Sequence, residues 1–409
     1  MRVMALADDL SGANEVAAAL MNLPQHALAS NARIEQSTPA IVHTTAHSDA
    51  SADAGVTVVN TDSRQVTSFE AEASLRKALA THPASPERIL FLKFDSMLRG
   101  QIGVQLDVVG QSSPVLFCPA VPELGRTVRG GVLHVEGRPL HETALWAAEQ
   151  RAPAPSVAAQ LAPARAGHLD LETVRGPELG EALREAASNA PVVICDAESS
   201  EDLERIAVAG LAQGFVLAGA AGLAGALAAQ LALDNSFSAP STQPRPRPRP
   251  RLQPRQADVL FVLGTASAAA KHQAQELEAS GVLVHRLSPA EIEGFHLDHE
   301  GTVAVIVDAP VDPSISAAIT AALTGLARRH HADRHLVLSG GETAQSILKA
   351  LNISELVPLL QAHPGAVVST SHDGRLVATR PGSYGASNSL LQILNTMHSL
   401  QDTTRKVPS

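Results

Sequence analysis

An α/β fold of two domains, each built on a largely parallel sheet flanked by helices, is what this sequence predicts. Three observations predict it. Continuous apolar runs of strand length alternate with Ala- and Leu-rich segments of helical pattern, as expected for strands buried on both faces. A tract of alternating proline and arginine divides the chain. Polar clusters follow several of the apolar runs, at the strand ends where open α/β sheets bind their ligands.

In the front part RVMALA, AIVHTTA, VTVVNT, ILFLKF, PVLFCPA and PVVICDA take the strand role, with EVAAALMNL and EAEASLRKALA among the helices between them. The stretch from Ala207 to Leu233 is long and apolar enough to resemble a membrane span, but glycines and Gln213 break it. It reads instead as a helix end, a short strand over Gly214–Ala218, a glycine turn and a helix from about Leu223. The tract NSFSAPSTQPRPRPRPRLQPR follows. Proline fixes φ and lacks the amide donor, so residues 235–256 are expected to be an extended linker. It separates an N-terminal domain (1–234) from a C-terminal one (257–409), in which ADVLFVLG, VLVHRL, TVAVIVDA, RHLVLSG and GAVVST are strands.

With 409 residues, two or three domains are expected. The net charge of −10 argues against a nucleic-acid partner, which a basic face would serve. Cys118 and Cys195 lie in apolar runs and read as reduced core thiols, with no zinc pattern around them. The N-terminus lacks the apolar length of a signal peptide. The expectation is a cytoplasmic protein without a membrane partner; a homodimer is left open.

The strand ends carry the chemistry. The first is followed by Asp8, Asp9, Leu10, Ser11 and Gly12. Asp9 or Ser11 alone reads equally well as a helix cap, but a cap does not explain two adjacent carboxylates. Later strand ends bring Arg64, then Lys93, Phe94, Asp95, Ser96 and Arg99. Arginine binds carboxylates bidentately, and acidic and hydroxyl groups suit a polyol. Structural ion pairs bracing the loops are the competing reading. In the second domain Gly264–Ser267, Ser339–Ala344 and Arg380–Gly385 are Gly-rich turns, two of them opening helices. Small residues and helix N-termini together favour a nucleotide phosphate. No dinucleotide fingerprint or P-loop occurs in them, and no nucleophile elbow surrounds Ser96. His331 and His335, four residues apart before a strand, read as a solvated helix end rather than a metal site.

These motifs resemble the four-carbon acid sugar kinases. ADDLSGA is similar to that family's ADDLTGA, KFDSMLRGQIG to KxDSTLRGNIG, and CPAVPELGRTVRGGVLHVEG to CPAxPExGRTxxxGxLxVxG. DAESSEDL and GAAGLAGALA match in order, GTASAAAKHQ is similar to GSCSxxTxxQ, and SGGETAQSIL to GGETAxAVL. The family's last turn, KSGGFG, reads RPGSYG here. The resemblance implies a kinase that phosphorylates the terminal hydroxyl of a four-carbon acid (threonate, erythronate or 3-oxo-tetronate type) in a cleft between the domains, with ATP and Mg2+. It implies Asp8 or Asp9 as the catalytic carboxylate and Arg64, the run Lys93–Phe94–Asp95–Ser96, and Arg99 for the acid. Ser267, Gly340, Gly341, Glu342, Thr343, Gly382 and Gly385 would hold the nucleotide. No residue is assigned to a metal. The altered last turn motivates one alternative, a kinase-like sensor of a sugar acid with weak or no catalysis. A different α/β enzyme, such as a dehydrogenase or hydrolase, is the other.

Overall fold

The computed structural model describes residues 2–21, 40–44, 55–83, 88–146, 149, 151–233, 258–265, 267–309, 312–332, 334–382 and 385–405. The expected linker, 235–256, lies outside the described residues. The polypeptide forms two compact units: the first takes in residues 2–21, 40 and 55–233, the second residues 41–44 and 258–405, so that β2 (Ala40–His43) lies in the second but for its first residue.

Unit 1 is a parallel sheet of β1 (Arg2–Ala7), β3 (Val56–Asn60), β4 (Arg88–Lys93), β5 (Val115–Cys118), β9 (Ala166–Leu169), β10 (Val192–Cys195) and β11 (Val216–Gly219). Its spatial order is β3-β1-β4-β11-β5-β10-β9. The helices are α1 (Leu10–Leu20), α2 (Ser68–Thr81), α3 (Ile102–Gly110), α4 (Val157–Gln160), α5 (Leu171–Arg175), α6 (Leu179–Asn189), α7 (Ser200–Ala212) and α8 (Ala221–Leu233). A small antiparallel sheet, β6 (Arg126–Arg129), β7 (Val132–Val135) and β8 (Arg138–Pro139), interrupts the alternation.

The inner strands are buried on both faces, whereas the edge strand β9 is not; Met4, Phe91, Leu92, Leu116 and Phe117 fill the core. Burial also pushes the free Cys118 thiol up to about 12, which leaves it inert. Helix starts follow local chemistry: Thr67 with Glu70, and Ser199 with Asp202, form capping boxes on α2 and α7. The apolar stretch before the linker resolves into α7, β11 and α8. Among the described residues no helix is long and apolar enough to cross a membrane.

Unit 2 contains β2 (Ala40–His43), β12 (Val259–Leu263), β13 (Leu283–Leu287), β14 (Val303–Val307), β15 (His335–Ser339), β16 (Glu355–His363), β17 (Ala366–Ser371) and β18 (Leu376–Arg380). The order is β13-β14-β12-β15-β18-β17-β16-β2. The first five are mutually parallel, and the last three run antiparallel to their neighbours. Helices α9 (Ala268–Ala279), α10 (Pro289–Gly294), α11 (Ser316–His330), α12 (Gly341–Ala350) and α13 (Ser389–Arg405) complete it. Phe261, Val337, Val368, Ile393 and Met397 share one core.

The antiparallel part departs from the pattern read in the sequence. β16 carries Pro358, which ordinarily argues against a ladder position; the register shifts between Pro358 and Leu360 accommodate it. β2 pairs with β16 across Val42–Leu356 and His43–Glu355, so four residues of the front half of the chain are built into the rear unit. His335 is also not the solvated helix end expected. It opens β15, is buried, and its Nδ1 accepts the Leu376 amide proton at 3.1 Å.

Candidate functional site

In unit 1 the strand order creates the site. β1 lies between β3 and β4, with Ala7 level with both Asn60 and Lys93. The three following loops therefore emerge side by side. The Asp8 carbonyl accepts the amides of Ser63 (2.9 Å) and Arg64 (3.1 Å), and the Asp8 amide donates to the Lys93 carbonyl (3.3 Å). Thr61 Oγ1 donates to the Ala7 carbonyl at 2.9 Å, and Ser63 Oγ donates to Gln105 Oε1 at 3.3 Å.

Arg64 is the centre of this cluster. Its Nε and Nη2 donate to Asp8 Oδ2 (2.9 Å) and Oδ1 (2.7 Å). Nη1 and Nη2 donate to Asp9 Oδ2 (2.7 Å) and Oδ1 (2.9 Å). The two aspartates are not equivalent. The Asp8 side chain is 0% exposed and lies entirely under Arg64, whereas that of Asp9 is 14% exposed. Burial pushes the Asp8 carboxyl up from its ordinary value, against the pull of Arg64. Asp9 also caps α1, Oδ1 accepting the Gly12 amide at 2.7 Å, so the capping role is real. It uses one oxygen and leaves Oδ2 with the single Arg64 bond.

Lys93 is buried, and its ammonium pairs with Glu15 Oε2 at 2.8 Å. Burial works against its charge, but Glu15 and then Asp8 and Asp9 hold its pKa above the ordinary value. Asp95 accepts from Arg99 Nε (2.7 Å) and Nη2 (2.9 Å) and lies 4.0 Å from Arg64 Nη1. Burial would raise the Asp95 carboxyl, yet Arg99 and Arg64 outweigh it and hold it well below the usual range. The turn that presents Asp95 is strained: buried Leu98 sits at φ 61°, in a region that favours glycine. Asp95 Oδ2 offsets that strain by accepting the Met97 (3.3 Å) and Arg99 (3.2 Å) amides.

Asp8, Asp9, Arg64, Lys93, Asp95 and Arg99 are thus brought together. Ser96 joins through a hydrogen bond from Arg126 Nη1. Phe94 does not: its ring is buried, edge-on to Phe117 at 6.2 Å.

Sequence reasoning missed Glu15, Arg126 and Asp196. Glu15 is the one acid in the apolar helix α1, a signal that could have been read. Arg126 opens the β6–β7 hairpin. Asp196, at the end of β10, holds that hairpin's turn by accepting from the Gly130 (2.6 Å) and Gly131 (3.0 Å) amides and pairing with His168 Nε2 (2.8 Å).

In unit 2 the same logic gathers glycines. β15 lies between β12 and β18, with Ser339 level with Leu263 and Arg380, so the loops carrying Gly264–Thr265, Gly340 and Gly382 emerge together. A Cβ at Gly382 would overlap Thr265 Oγ1, and one at Gly264 would overlap Thr343 Oγ1. Part of the glycine pattern therefore serves loop against loop. Gly340 sits at φ 102° and caps α12 with no side-chain hydrogen bond. A Cβ there would lie 3.7 Å from Thr265 Oγ1 and 3.8 Å from Thr343 Oγ1. The uncapped start of α12, with Gly341 and Glu342 in its first turn, and two hydroxyls thus share one small space, which fits a phosphate group. Ser267 Oγ caps α9 by accepting the Ala270 amide at 3.2 Å. The Gly385 carbonyl accepts from Gln273 Nε2 at 3.0 Å.

Residues 3–227 match the family model of a sugar-binding N-terminal domain, and residues 263–390 that of a nucleotide-binding C-terminal domain. The chain is 30% identical over 373 residues to a D-threonate kinase of Cupriavidus necator, covering 82% of this chain and 86% of that one. It is 28% identical over 368 residues to a D-threonate kinase of Bordetella bronchiseptica (83% and 85% covered). A D-erythronate kinase of Heliobacterium modesticaldum matches at 28% over 229 residues, 50% of this chain and 47% of that one. The solved protein HI1011 of Haemophilus influenzae superposes with a TM-score of 0.66 at 17% identity, over 96% of this chain and 100% of that one. That likeness bears on the fold alone.

Proposed function

The chain belongs to the four-carbon acid sugar kinase family, a family of phosphotransferases, and on that premise we propose that it uses ATP to phosphorylate the terminal hydroxyl of a threonate-type acid. The choice of acid class follows the D-threonate kinases it resembles. The observation that carries the reading is the convergence of the β1, β3 and β4 loops on Arg64, Asp8 and Asp9.

In this reading unit 1 holds the acid. Phosphoryl transfer needs an oriented hydroxyl more than covalent chemistry. Asp9 is the carboxylate suited to orient it, because its side chain is partly exposed and both Arg64 and the α1 cap fix its direction. Asp8 acts through Arg64, as the buried half of the pair that fixes the guanidinium. Arg64, Arg99 and Ser96 line the space that would take the substrate carboxylate and hydroxyls, with Lys93 behind them against Glu15. Unit 2 holds the nucleotide, its phosphates at Gly340–Thr343 and beside Thr265 and Gly382. ATP supplies the transferred phosphoryl group, with Mg2+ neutralising the phosphate oxygens.

The test is ADP release from the purified chain with D- and L-threonate, D- and L-erythronate and 3-oxo-tetronate, for wild type, Asp9→Asn and Arg64→Ala. Turnover of a threonate by wild type, lost in both variants, is expected. Undiminished turnover in both would overturn the residue roles. Acid binding without turnover on any member of the panel would favour the sensor.

A further inference from the structure

Arg380 closes β18 and is 0% exposed. Its Nε donates to Ser339 Oγ at 3.0 Å and its Nη1 to Ser389 Oγ at 2.6 Å. Its Nη2 donates to Gln273 Oε1 at 2.7 Å and to the Gly382 carbonyl at 2.9 Å. Every one of these acceptors is neutral, and among the described residues no carboxylate forms an ion pair with it. The next shell does not supply one either. His363 Nδ1 faces the Pro364 carbonyl at 2.9 Å, which can only accept, so the proton sits on Nδ1. Nε2, 2.7 Å from Ser389 Oγ, then accepts the serine proton and leaves the serine oxygen to receive Arg380.

A guanidinium removed from water without a counter-ion is costly, because hydrogen bonds to neutral groups replace only part of its hydration. Burial alone pulls its pKa down, to about 10, which leaves it charged at neutral pH. In unit 1, by contrast, each buried cation of the site faces a carboxylate. Two independent features lie next to this charge. The start of α12 has no side-chain cap, and the Gly340 amide donates to the Arg380 carbonyl at 3.0 Å. The Gly382 turn, whose carbonyl Arg380 grips, packs on Thr265 beside Gly340.

We propose that the missing counter-ion of Arg380 is the polyphosphate of the bound nucleotide, and that Arg380 is a positioning residue that places positive charge behind the phosphate cradle. This rests on the reading of unit 2 as the nucleotide-binding half. A buried charge of this kind gives selectivity for the polyphosphate rather than the nucleoside. It acts by its charge across the Gly382 turn and needs no direct contact with the ligand.

Calorimetric titration of the full chain with inorganic tripolyphosphate and, separately, with adenosine tests it, using wild type, Arg380→Gln and Arg380→Lys. Arg380→Gln is expected to weaken tripolyphosphate tenfold or more and to change adenosine less than twofold. Arg380→Lys keeps the charge but not the fork of hydrogen bonds, and is expected to stay within about threefold of wild type for tripolyphosphate. Unchanged tripolyphosphate binding in Arg380→Gln overturns the proposal. So does a parallel loss of both ligands, which marks a purely structural role, or an Arg380→Lys as weak as Arg380→Gln. If Arg380→Gln does not fold, Arg380→Lys still decides, since charge predicts retention and hydrogen-bonded structure predicts loss. Wild type that binds neither ligand sinks the nucleotide reading itself, a result distinct from the others.

Discussion

The two strand-end clusters are assembled by the same topology from opposite materials. In unit 1 the loops after β1, β3 and β4 bring charged side chains together, and the cations there are matched by carboxylates at 2.7–2.8 Å. In unit 2 the loops after β12, β15 and β18 bring glycines, two threonine hydroxyls and one buried guanidinium without a counter-ion. The difference teaches how each would select a ligand. A paired ionic cluster is fixed in advance and recognises the pattern of hydroxyls and carboxylate around a small acid. A backbone cradle with a spare positive charge recognises an anion of almost any outline.

The largest expected effect breaks the comparison on the ionic side. Asp9→Asn keeps a good helix cap but loses the charge that orients the hydroxyl, so turnover should fall by roughly 10²–10⁴ while the acid still binds. Asp8→Asn should act differently. It strips a buried partner from Arg64 and should cost about 3–5 kcal/mol of stability, visible as a lower melting temperature. If the two variants have the same melting temperature and the same turnover, the division of labour between the aspartates is wrong.

Next comes the backbone side. Gly382→Ala puts a methyl group into Thr265 Oγ1. Overpacking of that kind costs about 1–3 kcal/mol, so ADP affinity should fall ten- to hundredfold with acid binding unchanged. Adding Thr265→Ala should restore part of the loss. A double variant no better than Gly382→Ala would mean that the glycine serves the ligand directly and not the neighbouring loop.

The ionic cluster was largely legible in the sequence and the cradle only half so, for a physical reason. Charges at strand ends stand out against apolar runs, and parallel order brings neighbouring loops together; Asp8, Asp9, Arg64, Asp95 and Arg99 could be read from those two facts. Glu15 could not be paired with Lys93 without knowing which face of α1 turns to β4. Glycine turns are common, and nothing in Gly264 or Gly382 says which of them accommodates a threonine. Arg380 stands out in the sequence only as a changed residue in a turn, because its lack of a counter-ion is a property of the fold. Strand β16 was missed because Pro358 hides its ladder, and nothing local in AIVH announces a partner more than three hundred residues downstream.

A pH titration sharpens the contrast further. His335, held by burial with a pKa of about 4 in the fold, titrates near 6.5 when unfolded. A lowered pKa means that the unfolded chain takes up the proton first, so unit 2 loses stability as pH falls from about 6.5 toward 4, by up to ~3 kcal/mol. Asp95 in unit 1 is also lowered, but its stabilisation is full above its unfolded value of 3.8 and is lost only as pH falls below that. Trp146, the single tryptophan, lies in unit 1 and donates to the Met97 carbonyl at 2.9 Å. Near pH ~4.5, between the folded and unfolded values, far-UV circular dichroism should therefore change before tryptophan fluorescence does. Coincident transitions would refute the difference in acid sensitivity.

The smallest effect concerns Ser267. Its hydroxyl is used to cap α9, so Ser267→Ala should cost about 1 kcal/mol of stability and shift ADP affinity less than threefold. A larger shift in ADP titration would return Ser267 to the ligand.

The adoption of β2 by the rear unit has a consequence for synthesis and inheritance. Thr44 Oγ1 donates to the Ile353 carbonyl, 309 residues further along, and Gln345 Nε2 donates to the Thr44 carbonyl at 2.7 Å. At a translation rate of about 5–20 residues per second, this stretch leaves the ribosome roughly 15–60 seconds before its partners exist. A gene cut at the proline–arginine tract would yield a rear fragment short of one of its own strands. Recombination between relatives at that tract would join a rear sheet to another protein's Val42, His43 and Thr44, so these residues have to match their partners between Gln345 and Leu356.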